Sequence, residues 1–565
     1  MPQEEPARIA RELASHGYAA DREAITLLAG AEDPETALVV AVEATPDDAL
    51  KLSAADVRDV LETDPRGRRD PIPADGETTP DPEPVPDDPG AEPEPVPDNP
   101  GAAGPEADGT TPATTGATSG GDAPASAGEY PPVSTGTTPD ELGPGGGDVP
   151  VETKGSGGRG VDPSLRELAV GNDMTGRSTG TGKYGDFVAT FRDRYERLAG
   201  ELKGRVSHRN ASALQASPGG GEAGMVGMIA DIDSTTSGHW ILDLEDTTGV
   251  FPCLVMKDRP IAGVVDELLR DEVVAVEGSL SDDGSILFVD DLHFPNVPRT
   301  FEPSTADRHV QAALISDVHV GSQEFMRDAW QRFTAWLHTE AAERVEYLLI
   351  AGDMVEGVGV YPNQDEELDI VDIFEQYEAF AEYLKEVPGD MKIVMIPGNH
   401  DAVRLAEPQP GFDEELRDIM SVHDARIASN PAVVTVEGVS VLMYHGVSLD
   451  EVIAELPEEK ASYDEPHNAM YQLLKKRHVA PQFGGHTRLA PEEQDYLVVD
   501  EVPDVFHTGH VHKLGWGKYR NVLAVNSGCW QAQTDFQKSV NIDPDAGFAP
   551  VLDLDTLELT VHKFA

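Results

Sequence analysis

Five short turns in the C-terminal half of the chain carry side chains able to hold metal ions. They are Asp317-Val318-His319, Gly352-Asp353, Gly398-Asn399-His400-Asp401, Tyr444-His445-Gly446 and Gly509-His510-Val511-His512. Each follows an apolar run that reads as a strand, and each offers an oxygen or imidazole donor but no thiolate. A donor set of His, Asp and Asn without Cys suits Mn²⁺, with Fe²⁺ or Mg²⁺ as further options, better than a structural Zn²⁺. The supply exceeds what one ion needs, so two divalent ions sharing a carboxylate use it best. In DxH and HxH an extended backbone would send residues i and i+2 to the same side. Glycine before Asp353, Asn399 and His510 would let the chain turn tightly and approach an ion. A lone histidine at a strand end is ordinarily a polar cap, and His507, inside its strand, reads as a core residue. Five such turns in succession point instead to one shared site. Two cations on a phosphodiester would bind its oxygens and activate a water for in-line attack, so the chemistry indicated is phosphoester hydrolysis.

The elements that must position these residues alternate between strand and helix over 308–565. QAALISD, VEYLLIAGD, KIVMIPGNHD, VSVLMYHG, DVFHTGHVH and NVLAVNSG read as strands. Trp330, Phe333 and Leu337 mark one helix, and Ile370, Ile373, Phe374, Tyr377, Phe380 and Leu384 another. This is α/β architecture, in which polar groups at strand ends converge on a crevice. Before it, 223–300 reads as three strands, a short helix and two strands, the pattern of an OB-fold β-barrel. The few cations of 223–297, Lys257, Arg259 and Arg270, favour protein docking over a grip on DNA. A helical lead-in spans 161–222, with Phe187, Phe191, Tyr195 and Leu198 on one face. Residues 64–160 are rich in Pro, Gly and acids and hold a near-repeat (PEPVPDDPGA from Pro82, PEPVPDNPGA from Pro93), which reads as a disordered tether. Residues 1–63 read as a small α-helical module.

The composition sets the surroundings. Against 42 Lys and Arg stand 103 Asp and Glu, a formal net charge of −61 over 565 residues. Such self-repulsion is tolerable at molar salt, where the Debye length falls to about 3 Å, so a halophile's cytoplasm fits. Cys253 and Cys529 are the only cysteines, too few for a disulfide framework. No run of about 18 apolar residues suggests a membrane span, and no signal sequence opens the chain. Lys475, Lys476, Arg477 and His478 form the densest cationic cluster of the catalytic half. They could contact a DNA backbone or simply close a helix, where cations suit the dipole.

The strings DVHVGS, GDMVEG, PGNHD, YHG and GHVH resemble the motif series of the calcineurin-like metallophosphoesterases, which include the double-strand-break repair nuclease. More narrowly, FRDRYERL, GDMVEGVGVYPNQ, YHGVSLDEVI, LLKKRHVAP and NSGCWQAQTDFQK are similar to the small subunits of archaeal D-family DNA polymerases, over about 182–565. The resemblance implies a two-sheet sandwich flanked by helices and a metal-dependent 3′→5′ exonuclease that trims single-stranded DNA ends. It further implies that DNA synthesis belongs to a large catalytic partner. By motif, Asp317, His319, Asp353 and His512 would hold one ion. Asp353, Asn399, His445 and His510 would hold the other. His400 would give a proton to the leaving oxygen and Asp401 would orient it. Where the repair nuclease has a second catalytic histidine, this chain has Glu356, whose part the resemblance leaves open. The alternatives are an accessory scaffold with an idle metal site and a free-standing repair nuclease.

Overall fold

The computed structural model describes residues 162–178, 182–361, 364–485, 487–539 and 542–565, together with a few positions near the N-terminus. The chain divides into two compact units, 1–132 and 133–565. In the first, Ala19–Ala20 pairs in parallel with Lys51–Leu52, and Leu28 and Val57 are buried. A parallel strand pair is more than a purely helical module contains. The rest of the expected module and the tether at 64–160 lie outside the described residues.

The second unit begins with β1 (Leu168–Gly171) and α1 (Tyr184–Leu202). The apolar stripe of α1 is shifted from the expected face. Tyr195, Leu198, Ala199 and Leu202 are buried, whereas Phe187 and Phe191 are half-buried and close on Phe483 at ring distances of 5.3 and 5.5 Å. Arg194 is also buried. Its guanidinium meets Asp495 at 2.7 Å and donates to the Pro481 carbonyl, so α1 is bolted to the C-terminal half by a charge pair out of water.

Next come β2 (Glu222–Ser234), β3 (Trp240–Asp246) and β4 (Gly249–Val255), a 3₁₀ helix at Pro260–Glu267, then β5 (Val273–Leu280) and β6 (Leu287–His293). They close into a barrel in the order β2-β3-β4-β6-β5, with only β4 and β6 parallel. Alternate residues such as Leu242, Leu244, Phe251, Cys253, Val274 and Val276 point inward, as the two-residue period of a strand requires.

The remaining chain starts with β7 (Gln311–Ile315), α2 (Arg327–Leu337), β8 (Val345–Ala351), α3 (Ile373–Leu384), β9 (Lys392–Ile396) and β10 (Arg426–Ile427). It continues with β11 (Ala432–Val436), β12 (Val439–Met443), α4 (Ser448–Glu455), α5 (Pro466–Lys476) and β13 (Val505–Thr508). It ends with β14 (Leu514–Tyr519), β15 (Val522–Ser527), β16 (Phe548–Asp553) and β17 (Glu558–Lys563). Ile370 falls before α3, because the Asp372 side chain caps the helix there by accepting from Phe374 and Glu375.

Two six-stranded sheets result, β10-β9-β8-β7-β16-β17 and β14-β15-β13-β12-β11-β1. Leu314, Leu349 and Ile396 of the first meet Val441, Val505 and Val525 of the second in a dry core. Helices α2 and α3 cover the outer face of the first sheet with Trp330, Phe333, Tyr377 and Phe380. Helices α4 and α5 cover the second with Leu449, Met470 and Leu473. Strands covered on both sides are almost wholly apolar, as in VEYLLIA, whose one charge, Glu346, is paired with Arg166 and Arg308. The central strands β7, β8 and β9 run parallel, as do β12, β13 and β15. Their carboxyl ends therefore deliver the polar turns to one edge of the sandwich.

The cationic cluster closes α5 rather than facing outward. Arg477 takes φ 54° at the helix end and donates to Val499 O. Lys476 is fully buried, 3.0 Å from Glu272, and Lys475 pairs with Glu267, so these cations join the sandwich to the barrel. Among the described residues no helix is long and apolar enough to cross a membrane.

The Arg194–Asp495 pair gives a stability test. Arg194→Met leaves the buried Asp495 carboxylate with the His478 imidazole at 2.9 Å and the Leu497 amide, and should cost about 3 kcal/mol in urea unfolding, whereas Arg194→Met with Asp495→Leu should recover part of that loss.

Candidate metal centre

The turns after β7, β8, β9, β12 and β13 meet at the edge of the sandwich. Asp317, His319 and His512 form one group of donors, and Asp353, His445 and His510 another, in each case with ligand atoms within 4.8 Å of one another. His319 Nε2 lies 3.0 Å from His512 Nε2 and 3.9 Å from Asp353 Oδ2, and His512 Nε2 lies 3.4 Å from Asp317 Oδ1. On the other side of Asp353, Oδ2 is 3.2 Å from His445 Nε2, which is itself 3.0 Å from Asn399 Oδ1. All seven donors named from sequence are thus brought together, with Asp353 between the two groups.

The backbone reaches this arrangement by a route the pleat argument does not describe. Asp317, His319, Asp353, His510 and His512 all have φ between 51° and 71°, the left-handed region. Within DxH and HxH the chain is therefore coiled, not extended, and the side chains converge because each donor sits on its own sharp turn. Such residues cost of order 1 kcal/mol each and persist only where the surroundings hold them. The holding bonds are visible. Asp317 N donates to Gly352 O, and His510 N donates to the Asp317 carboxylate at 2.9 Å. His400 N donates to Asp353 Oδ1 at 2.8 Å.

The glycines serve the donors themselves more than an ion. A Cβ on Gly398 would stand 2.2 Å from Asp353 Oδ1, and one on Gly509 would stand 2.3 Å from Asp317 Oδ2.

A further shell fixes the imidazoles. Glu356 Oε2 sits 2.9 Å from His319 Nδ1 and accepts from Gln531 at 2.7 Å. The carboxylate thereby orients His319 so that Nε2 is presented to the centre. Gln537 meets His512 Nδ1 at 2.8 Å, the Ala351 carbonyl meets His445 Nδ1 at 2.8 Å, and Asp450 meets His510 Nε2 at 3.0 Å. The motif spacing does not single out Asp450, Gln531 or Gln537. The last two lie in the NSGCWQAQTDFQK string, whose distinctiveness is the one signal for them in the sequence.

The role expected of Asp401 needs correction. Its carboxylate accepts from Gly398 N at 2.9 Å and from the Tyr377 hydroxyl at 3.0 Å, so it is directed to these groups rather than to the His400 ring. It shapes the turn that carries Asn399. The His400 ring is fixed instead by Nδ1 against the Glu356 carbonyl at 2.7 Å, which leaves Nε2 for the cavity that His400 lines. His507 is a core residue, buried with Nε2 3.1 Å from Ser527 Oγ, and burial pushes its imidazole down to about 3.

The electrostatics suit cations. Asp317, Asp353 and Glu356 are all buried within one cluster. Burial opposes ionisation of Glu356, yet the charge of His319 brings its carboxyl down to about 2. Burial likewise disfavours a charged His445, yet the Asp353 carboxylate lifts it to about 10. Burial, reinforced by the charge of Asp353, raises Asp401 to about 7. Without cations the carboxylates are compensated by protons on imidazoles. The centre therefore fits divalent ions by donor type, convergence and charge.

The class of the protein follows from comparison with known sequences. The family model for the B-type subunit of DNA polymerases alpha and epsilon matches residues 312–513, which run from β7 to just past His512. The DNA polymerase II small subunit of Halobacterium salinarum is 60% identical over 565 residues, covering 100% of both chains. That of Archaeoglobus fulgidus is 43% identical over 395 residues, covering 68% of this chain and 79% of its own. The chain belongs to the small subunits of archaeal DNA polymerase II, family D. A solved archaeal phosphodiesterase aligns with 45% of this chain and 98% of its own at 13% identity, with a TM-score of 0.24 too low to carry an argument.

Cation binding should be linked to pH. With His445 holding its proton up to about 10, an ion must displace that proton near neutrality. Titration calorimetry with Mn²⁺ in two buffers of different ionisation enthalpy should show release of at least about one proton at pH 7, and affinity rising from pH 6 to 8.

Proposed function

We propose that this chain is the metal-dependent 3′→5′ exonuclease of a family-D DNA polymerase, trimming single-stranded DNA ends for proofreading. The observation that carries this reading is the convergence of seven His, Asp and Asn donors, with Asp353 between the other six, at the ends of the parallel strands. The two-sheet sandwich with helices on both outer faces supports a calcineurin-like phosphoesterase domain. One ion would be held by Asp317, His319, Asp353 and His512, and the other by Asp353, Asn399, His445 and His510, with Mn²⁺ best suited to the donors. Such ions supply charge withdrawal from a phosphodiester and acidification of a water.

The chain's own residues do the rest. His400, with Nδ1 donating to Glu356 O, exchanges a proton with the leaving oxygen at Nε2. Glu356 holds His319 in the tautomer that faces the centre, and Asp401 keeps the Gly398–His400 turn in place. No covalent intermediate on the protein is needed.

The large catalytic subunit is the proposed partner, since the names of the relatives mark them as small subunits. The closed five-stranded barrel with its helix between third and fourth strands supports an OB-fold used for docking. Its cations are already engaged: Arg259 with Asp290 at 3.1 Å, Arg270 with Asp231 at 2.9 Å, and Lys257 with the Ser237 carbonyl at 2.7 Å. That leaves little to grip a phosphate backbone.

Two substitutions test the assignment at molar salt. His400→Ala should retain both ions by elemental analysis while Mn²⁺-dependent degradation of single-stranded DNA falls by about 10²-fold or more. Undiminished degradation would remove His400 from proton transfer. Asp353→Asn should lose ions and activity together. If it keeps a full complement of metal, Asp353 is not the bridge.

A further inference from the structure

The centre opens into a cavity of about 150 Å³ whose outer wall is aromatic. The Tyr361 ring stands 6.3 Å from the His400 ring, and Phe536 lies against Tyr361 at 5.6 Å with only 24° between the planes. Tyr361 is not free to swing. Its hydroxyl donates to Glu356 Oε1 and lies equally close to Glu367 Oε2, both at 3.2 Å. Phe536 is 50% exposed at the mouth of the cavity it lines. The shelf around the two rings is acidic, with Glu324, Glu366, Glu367 and Asp535. These acids outnumber the one cation among them, Lys538, which is paired with Asp535 at 2.9 Å, so a nucleic-acid backbone gains little from charge here and a hold on the strand needs another source. A near-parallel aromatic pair offers one. Base stacking needs no counter-charge, tolerates every base and is little weakened by salt.

We infer that Tyr361 and Phe536 form a stacking platform for the base of the nucleotide on the leaving-oxygen side of the scissile phosphate, so that an unpaired end is held without regard to sequence. This rests on the nuclease reading above, because His400 defines which side the leaving oxygen occupies. In a 3′→5′ cut that oxygen stays with the penultimate nucleotide, whose base is the one stacked. A paired base already stacked in a duplex cannot lie on the platform, so the same surface selects frayed or mismatched ends. Gln531 and Gln537 of the same segment touch Glu356 and His512. The string that carries Phe536 thus sets both the platform and the imidazoles.

The experiment uses the full chain and oligothymidylate carrying 2-aminopurine at the penultimate position, with Ca²⁺ replacing Mn²⁺ for binding and Mn²⁺ for kinetics. Wild type should quench the fluorophore on binding. Phe536→Ala should abolish the quench and raise KM about tenfold with kcat little changed, and Phe536→Trp should restore both. An abasic penultimate site should give wild type the KM of Phe536→Ala. Wild-type quench and KM in Phe536→Ala would overturn the platform. A wild type that quenches yet cuts nothing would sink the nuclease reading while leaving the platform standing.

Discussion

Three buried carboxylates, those of Asp317, Asp353 and Glu356, are held within one small volume, and much of the surrounding structure answers that charge. Like charges this close in a dry interior repel strongly unless cations or protonated imidazoles lie between them. His319 and His445, whose protons the carboxylates favour, occupy that place with His512 beside them, where burial favours the neutral ring; each lies within 4 Å of at least one carboxylate. Each imidazole is in turn held from behind by Glu356, a main-chain carbonyl or a glutamine. The outcome is a site whose charge is balanced by protons, at positions that the proposed cations would have to take over.

The sandwich exists to make this possible. Parallel strands covered on both faces leave their polar groups only at the ends, and six of them from two sheets end at one edge. The left-handed residues there are strained individually, but the strain is countered by main-chain bonds onto the very carboxylates that define the centre.

How much of this is legible in the sequence depends on whether a residue acts through its neighbours in the chain or through distant ones. The apolar runs ending in polar turns locate the strands and all seven donors, because each run is long, buried and uninterrupted. Strands β1, β10, β14 and β17 escape such a reading, being short or at the edges of their sheets, and β11 and β16 go unread although both lie inside their sheets. The spacing of Ile370 fits a helix, while the cap at Asp372 keeps it out of α3. Adjacency pairs Asp401 with His400, yet the carboxylate turns toward Gly398 and Tyr377. Periodicity and spacing do not mark Arg194, Asp450 and Gln537, whose partners lie tens to hundreds of residues away; only the distinctive strings that contain them do.

The buried joint between barrel and sandwich has a mechanical consequence. Helix α5 carries Lys476 to Glu272 of the barrel at one end, and along its length Met470 and Leu473 lie in the same core as Phe506 of the strand that leads to His510 and His512. A lever of this kind has little slack, since its fulcrum is an ion pair shut away from both solvent and salt. Whatever binds the barrel therefore sits on a body joined through α5 to the core that backs His510 and His512.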